Sequence, residues 1–141
     1  MPLIYRAMTV DADGKPQVGP SARTLGARVP PDPKPDITPD SNGVVRPGTG
    51  GMSVGPAWRR LPLHRIPRRL RHLVPHAHGK DEDACWRMGD GPFADGVVAV
   101  GLALRVDSAR HALVQPDREM LAQVYQDALA TTRDQWVVDE G

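Results

Sequence analysis

The chain has 141 residues, 40% of them hydrophobic, and 18 basic side chains against 17 acidic ones give a formal net charge of +1. That length suits one compact domain spanning 1–141, and the near-neutral balance gives no bulk electrostatic reason to expect a nucleic-acid or anionic membrane partner. Fifteen prolines and fourteen glycines beside one Phe and two Tyr predict many irregular loops and an aliphatic core.

Leu3 to Val10 mixes β-branched and aromatic residues and stops at Asp11-Ala12-Asp13-Gly14, a strong turn signal, so it reads as the first strand, carrying Arg6. Lys15 to Gly51 shows little apolar periodicity and several P-x-P steps, which predicts a long ordered loop over the core. The segment Pro35 to Val54 ends in Gly50-Gly51-Met52-Ser53-Val54, where a flexible glycine pair enters a short strand. Two glycines there would let the backbone approach a ligand, and Ser53 follows with a hydroxyl.

Trp58 to Leu73 sets Leu61, Ile66, Leu70 and Leu73 among arginines, predicting short helical turns opened by Pro67 with the arginines in solvent. Ala84 to Met88 reads as a short strand and Val97 to Val106 as a buried central strand, with His111 to Val114 as its antiparallel neighbour. Met120, Leu121, Val124, Tyr125, Ala128 and Leu129 form one helical stripe, with Pro116 in its first turn and Asp117 and Glu119 at the positive end of its dipole. The predicted fold is α+β: a small mixed or antiparallel sheet, long loops and a C-terminal amphipathic helix.

Cys85 is the single cysteine, which excludes an internal disulfide, and the chain starts with no charged-then-apolar segment, so synthesis in the cytoplasm without a signal peptide is expected. The longest apolar run, Gly96 to Leu104, is about half of what a membrane helix needs. His72, His76, His78 and Cys85 could suggest zinc, but they lie in a Pro/Gly-interrupted loop with no paired second cluster. A solvated histidine loop without metal is the expectation.

Leu3-Ile4-Tyr5-Arg6-Ala7, the Pro35 to Val54 block, His111 followed by Pro116 and Met120, and Arg133-x-Gln135-Trp136 resemble the type VI secretion exported toxins with an ADP-ribosyltransferase-like fold. The resemblance covers roughly half the chain and is weakest over 55–105. It implies an antibacterial effector that consumes NAD as substrate, by ADP-ribosyl transfer or hydrolysis. It also implies delivery into a target-cell cytoplasm, a possible secretion-machine carrier and a cognate immunity protein.

On this resemblance Arg6, Ser53 and His111 are the catalytic candidates, and Tyr5, Arg6, Gly50, Gly51 and Ser53 the NAD-binding ones. Arg6 would contact phosphate or ribose, Tyr5 would pack under a ring, Ser53 would orient the nicotinamide ribose, and His111 would bond the ribose or move a proton. Met52 stands where a second hydroxyl residue is expected. Glu119 and Asp117 are the acids nearest the expected junction and fit helix-start roles equally well, which leaves the catalytic acid unassigned. From a different class, Arg59, Arg60, Arg65, Arg68, Arg69 and Arg71 beside Trp58 could make a non-enzymatic nucleic-acid- or protein-binding module.

Overall fold

The computed structural model describes residues 1–141 and is an α+β fold of mostly antiparallel strands with one short helix. In chain order the strands are β1 (Ile4–Thr9), β2 (Val44–Val45), β3 (Met52–Val54), β4 (Asp83–Met88), β5 (Gly96–Ala99), β6 (Leu102–Ser108), β7 (His111–Pro116), β8 (Met120–Leu121) and β9 (Val137–Val138). The helix α1 (Ala122–Thr131) lies between β8 and β9.

Three sheets result: β1-β4-β9, β3-β7-β6-β5 and the small pair β2-β8. Strand alternation explains how the first is buried on both faces. Ile4 and Met8 of β1 and Trp86 and Met88 of β4 enter the main core, whereas Tyr5, Ala7 and Cys85 enter a second core closed by Trp58, Leu61, Ile66 and Leu70. Short 3-10 turns at Trp58–Arg60 and Arg68–Leu70 supply that second layer, the latter opened by Pro67 as its spacing predicts.

The core is mostly aliphatic, as composition predicts, with three aromatic rings set into it. Trp86, Trp136 and Tyr125 are among its largest fully buried side chains, because the few aromatics are spent almost entirely on the interior. The single central strand predicted over 97–106 is instead a hairpin. It turns at Val100–Gly101, where Gly101 takes φ +82, and it leaves Val97 and Val100 exposed.

The last helix also starts later than its stripe predicts. Met120 and Leu121 pair as a strand with Val45 and Val44, Pro116 ends β7, and no acid occupies the helix's first turn. Only Tyr125 and Leu129 of the helix are fully buried. Tyr125 accepts a hydrogen bond from the Met52 backbone N–H (3.0 Å) and donates to the Val114 carbonyl (2.6 Å). It thus bridges β3 and β7 at the point where β3 begins, and fixes the strand that carries Ser53. No helix is long and apolar enough to cross a membrane.

Candidate functional site

The two larger sheets meet where Tyr5 and Gly55 exchange backbone hydrogen bonds of 2.8 and 2.9 Å. This bridge lays β1 beside the end of β3, and a cleft of about 560 Å³ opens over the junction. Arg6, Ser53 and His111, from three distant parts of the sequence, all line it.

Arg6 shares the core-facing side of β1 with Ile4 and Met8 and is 5% exposed. Its Nε donates to the Thr24 carbonyl (3.1 Å), its Nη1 to the Ser53 carbonyl (2.8 Å), and its Nη2 to the carbonyls of Ser21 (3.0 Å), Thr24 (3.0 Å) and Gly26 (3.2 Å). Burial lowers its pKa to about 10, which leaves it charged at neutral pH. Most of its donors are therefore committed to backbone, clasping the loop around Ser21–Gly26 to β3. With one acceptor on Nη1, a single proton of that nitrogen stays free of protein partners.

Ser53 and His111 lie diagonally across the β3–β7 ladder, in which Ser53 pairs with Leu113 and Val54 with Ala112. Such diagonal neighbours share a face, within reach of a long side chain. His111 Nε2 stands 3.1 Å from Ser53 Oγ, and its Nδ1 stands 2.8 Å from both carboxylate oxygens of Asp107. A carboxylate only accepts, so Nδ1 carries the proton; in the neutral ring Nε2 then accepts from the Ser53 hydroxyl. Asp107 comes from the β6 arm of the β6–β7 hairpin, beside a register shift between Val106 and Ser108. The resulting hydroxyl–imidazole–carboxylate chain can polarise the serine or take a proton from a bound substrate, with Asp107 stabilising the imidazolium.

The cleft is strongly cationic despite the chain's near-zero net charge. Arg6, Arg59, Arg60, Arg65 and Arg110 line it with no carboxylate partner, and Arg28 is the one wall arginine that is paired. Asp36 is the only acid on the wall, held by Arg28 Nε (3.1 Å) and Nη2 (2.9 Å). Elsewhere several arginines are spent on acids: Arg23 on Asp83 and Glu82, Arg46 on Asp40 and Glu119, Arg69 on Glu140, and Arg133 on Asp11 and Asp13. Desolvation, with Arg28 nearby, lowers the Arg65 pKa; desolvation, with Arg65 nearby, lowers that of His64.

Other candidates lie outside the cleft. Tyr5 points to the opposite face of β1 from Arg6, is buried in the second core and donates its hydroxyl to Asp139 (2.8 Å), so it has no ring to offer at this wall. The two glycines serve protein packing: a Cβ on Gly50, whose φ is +127, would run into the Asp36 carbonyl, and one on Gly51 into the Val114 carbonyl. Glu119 bonds Arg46 and Asp117 bonds Arg118, both remote from Ser53. Cys85 is fully buried on β4, its thiol pushed up to about 12 by desolvation, and no group of three His, Cys, Asp or Glu side chains gathers as metal ligands do. The sequence reading did not single out Asp107, nor the wall residues Arg28, Asp36, His64 and Arg110. No protein-family model matches the chain, and no curated protein matches it.

Proposed function

We propose that this cleft consumes NAD, as an ADP-ribosyltransferase-like toxin domain that acts in a target-cell cytoplasm and is neutralised by a cognate immunity protein. The observation that carries the proposal is the convergence of Arg6, Ser53 and His111 on one cleft with unpaired guanidiniums. The pyrophosphate of NAD would lie on Arg65 and on the Nη1 proton of Arg6 that no carbonyl takes, the less exposed guanidiniums of the wall, whose planar forks suit phosphate oxygens. Ser53 would hold the nicotinamide ribose. The glycosidic C–N bond breaks with its electron pair leaving on nicotinamide, and the acceptor oxygen bonds to the ribose carbon. His111 Nε2 takes the acceptor's proton, and Asp107 steadies the resulting imidazolium.

No free carboxylate lines the wall, so Asp36, tied to Arg28, is the acid to test for stabilising positive charge on the ribose. Expression in a bacterial cytoplasm is expected to arrest growth, and Ser53→Ala to relieve the arrest while the protein stays folded. Unaltered toxicity of that variant would remove Ser53 from the site. The hydrogen-bond chain by itself favours a second reading, with Ser53 as nucleophile of a hydrolase. A fluorophosphonate adduct on Ser53 that His111→Ala abolishes would establish it, and no labelling would end it.

A further inference from the structure

Charge on the cleft wall exceeds what one dinucleotide can match. A dinucleotide with two phosphates and a pyridinium ring brings one net negative charge, whereas the wall carries Arg6, Arg59, Arg60, Arg65 and Arg110 without carboxylate partners. We propose that the mouth of this cleft also binds a single-stranded nucleic acid, its phosphates lying on the exposed Arg59, Arg60 and Arg110, as the acceptor substrate of the reaction. The acceptor role rests on the NAD-consuming reading above; the binding itself does not.

Three observations favour a strand over an acidic protein. First, every cation of the wall besides the imidazoles is a guanidinium, the side chain whose fork matches phosphate oxygens in pairs. Second, a protein interface needs an apolar centre, and Leu63 is the single exposed large hydrophobe on this wall. Trp58, the only nearby aromatic ring of size, is 4% exposed beneath the Arg59 guanidinium, 5.0 Å from its centroid. Third, the guanidiniums gather around a concavity of about 560 Å³ and not on a flat face, a shape that a flexible strand can follow. With no open aromatic platform for bases, recognition rests on phosphates and is indifferent to sequence.

In the transfer step the bond from the ribose carbon to nicotinamide breaks, with its electron pair staying on nicotinamide nitrogen. An oxygen of the strand forms the new bond to that carbon. Where the oxygen is a hydroxyl, its proton passes to His111 Nε2, which lies on the same wall as the arginines.

The test is fluorescence anisotropy of the full chain with labelled RNA and DNA strands of about 15 nucleotides, without NAD. Between about 50 and 200 mM salt, three phosphate contacts give a slope of log affinity on log salt of roughly −2. Arg59→Glu/Arg60→Glu/Arg110→Glu, at three exposed positions, should melt like the parent, bind at least about tenfold more weakly and show a flatter slope. No binding at the lowest salt, undiminished binding by the triple variant, or equal competition by polyglutamate charge for charge would each overturn the strand. Nicotinamide release from NAD, measured with and without the strand, separates the two readings. Binding without release overturns the acceptor role and the NAD reading together, whereas release without binding overturns only the strand.

Discussion

Arginines that tie the scaffold together contrast with the unpaired arginines that line the cleft. Arg23, Arg28, Arg46, Arg69, Arg87, Arg118 and Arg133 each sit within ion-pair distance of an acid and tie loops, termini or neighbouring segments together. Of those with no such partner, Arg6, Arg59, Arg60, Arg65 and Arg110 converge on one cleft, whereas Arg68, Arg71 and Arg105 lie outside it. Neighbouring like charges repel, so unpaired cations gathered in a concave wall are maintained against an electrostatic cost that an anionic ligand removes. The difference teaches that a net charge of +1 can hide a strongly polarised surface when the acids are consumed by structural pairs elsewhere.

Arg6 belongs to the cleft by position and to the scaffold by bonding, and removing it should have the largest effect on stability. Arg6→Met leaves the carbonyls of Ser21, Thr24, Gly26 and Ser53 without their donor. A loss on the order of 3–5 kcal/mol is expected in urea unfolding. A variant as stable as the parent would move Arg6 out of the scaffold and make it purely a ligand contact.

His111→Ala tests the other end of the comparison, where chemistry and not stability is at stake. Nicotinamide release should fall by about 10²–10⁴ with the melting temperature little changed. Asp107→Asn should cost less, because Nδ1 loses the charge that steadies the imidazolium yet keeps an acceptor. A parent-like rate in both variants would show the hydrogen-bond chain to be a surface accident.

Tyr125→Phe carries no charge and should cost about 1–3 kcal/mol by leaving the Met52 N–H and Val114 carbonyl unmatched inside the core. If β3 shifts as a result, activity falls with stability. Activity retained at full level would show that β3 needs no such anchor.

The smallest expected effect concerns His64, whose pKa lies below the ordinary histidine value because of desolvation first and the nearby Arg65, His78 and Lys34 next. A lowered folded value means that the unfolded chain binds more protons in the window below about 6.5, so stability falls as pH drops through it. Pyrophosphate in the cleft should raise the His64 pKa toward its ordinary value, read as a shifted titration of its imidazole resonances. An unmoved titration would place the anion elsewhere.

Much of this arrangement was legible in the sequence wherever the signal was local. Turn residues at Asp11–Gly14 bounded β1, the glycine pair announced β3, and His111 to Val114 was expected as the antiparallel neighbour of the central apolar run. Those three strands deliver Arg6, Ser53 and His111 to one place. Tyr5 could have been set aside on alternation alone, since consecutive strand residues face opposite ways.

What stayed hidden depends on contacts between distant segments. Met120 and Leu121 fit a helical stripe, and only their pairing with Val45 and Val44 makes them a strand. Gly101 is one small residue inside an apolar run, and its left-handed conformation turns that run into a hairpin. Asp107 reaches His111 across the β6–β7 hairpin, and no motif spacing marks the pair. The segregation of arginines is likewise invisible along the chain, because the pairs that consume the acids, such as Arg23 with Asp83 and Arg69 with Glu140, join remote positions.

The most direct measurement is calorimetric titration of NAD into the purified chain, with nicotinamide followed in the same samples. Measurable heat and release by the parent, heat without release by His111→Ala, and neither in Arg65→Glu would match the division between binding arginines and a reacting Ser53–His111–Asp107 chain. No heat and no release by the parent, or release unchanged in His111→Ala, would contradict it.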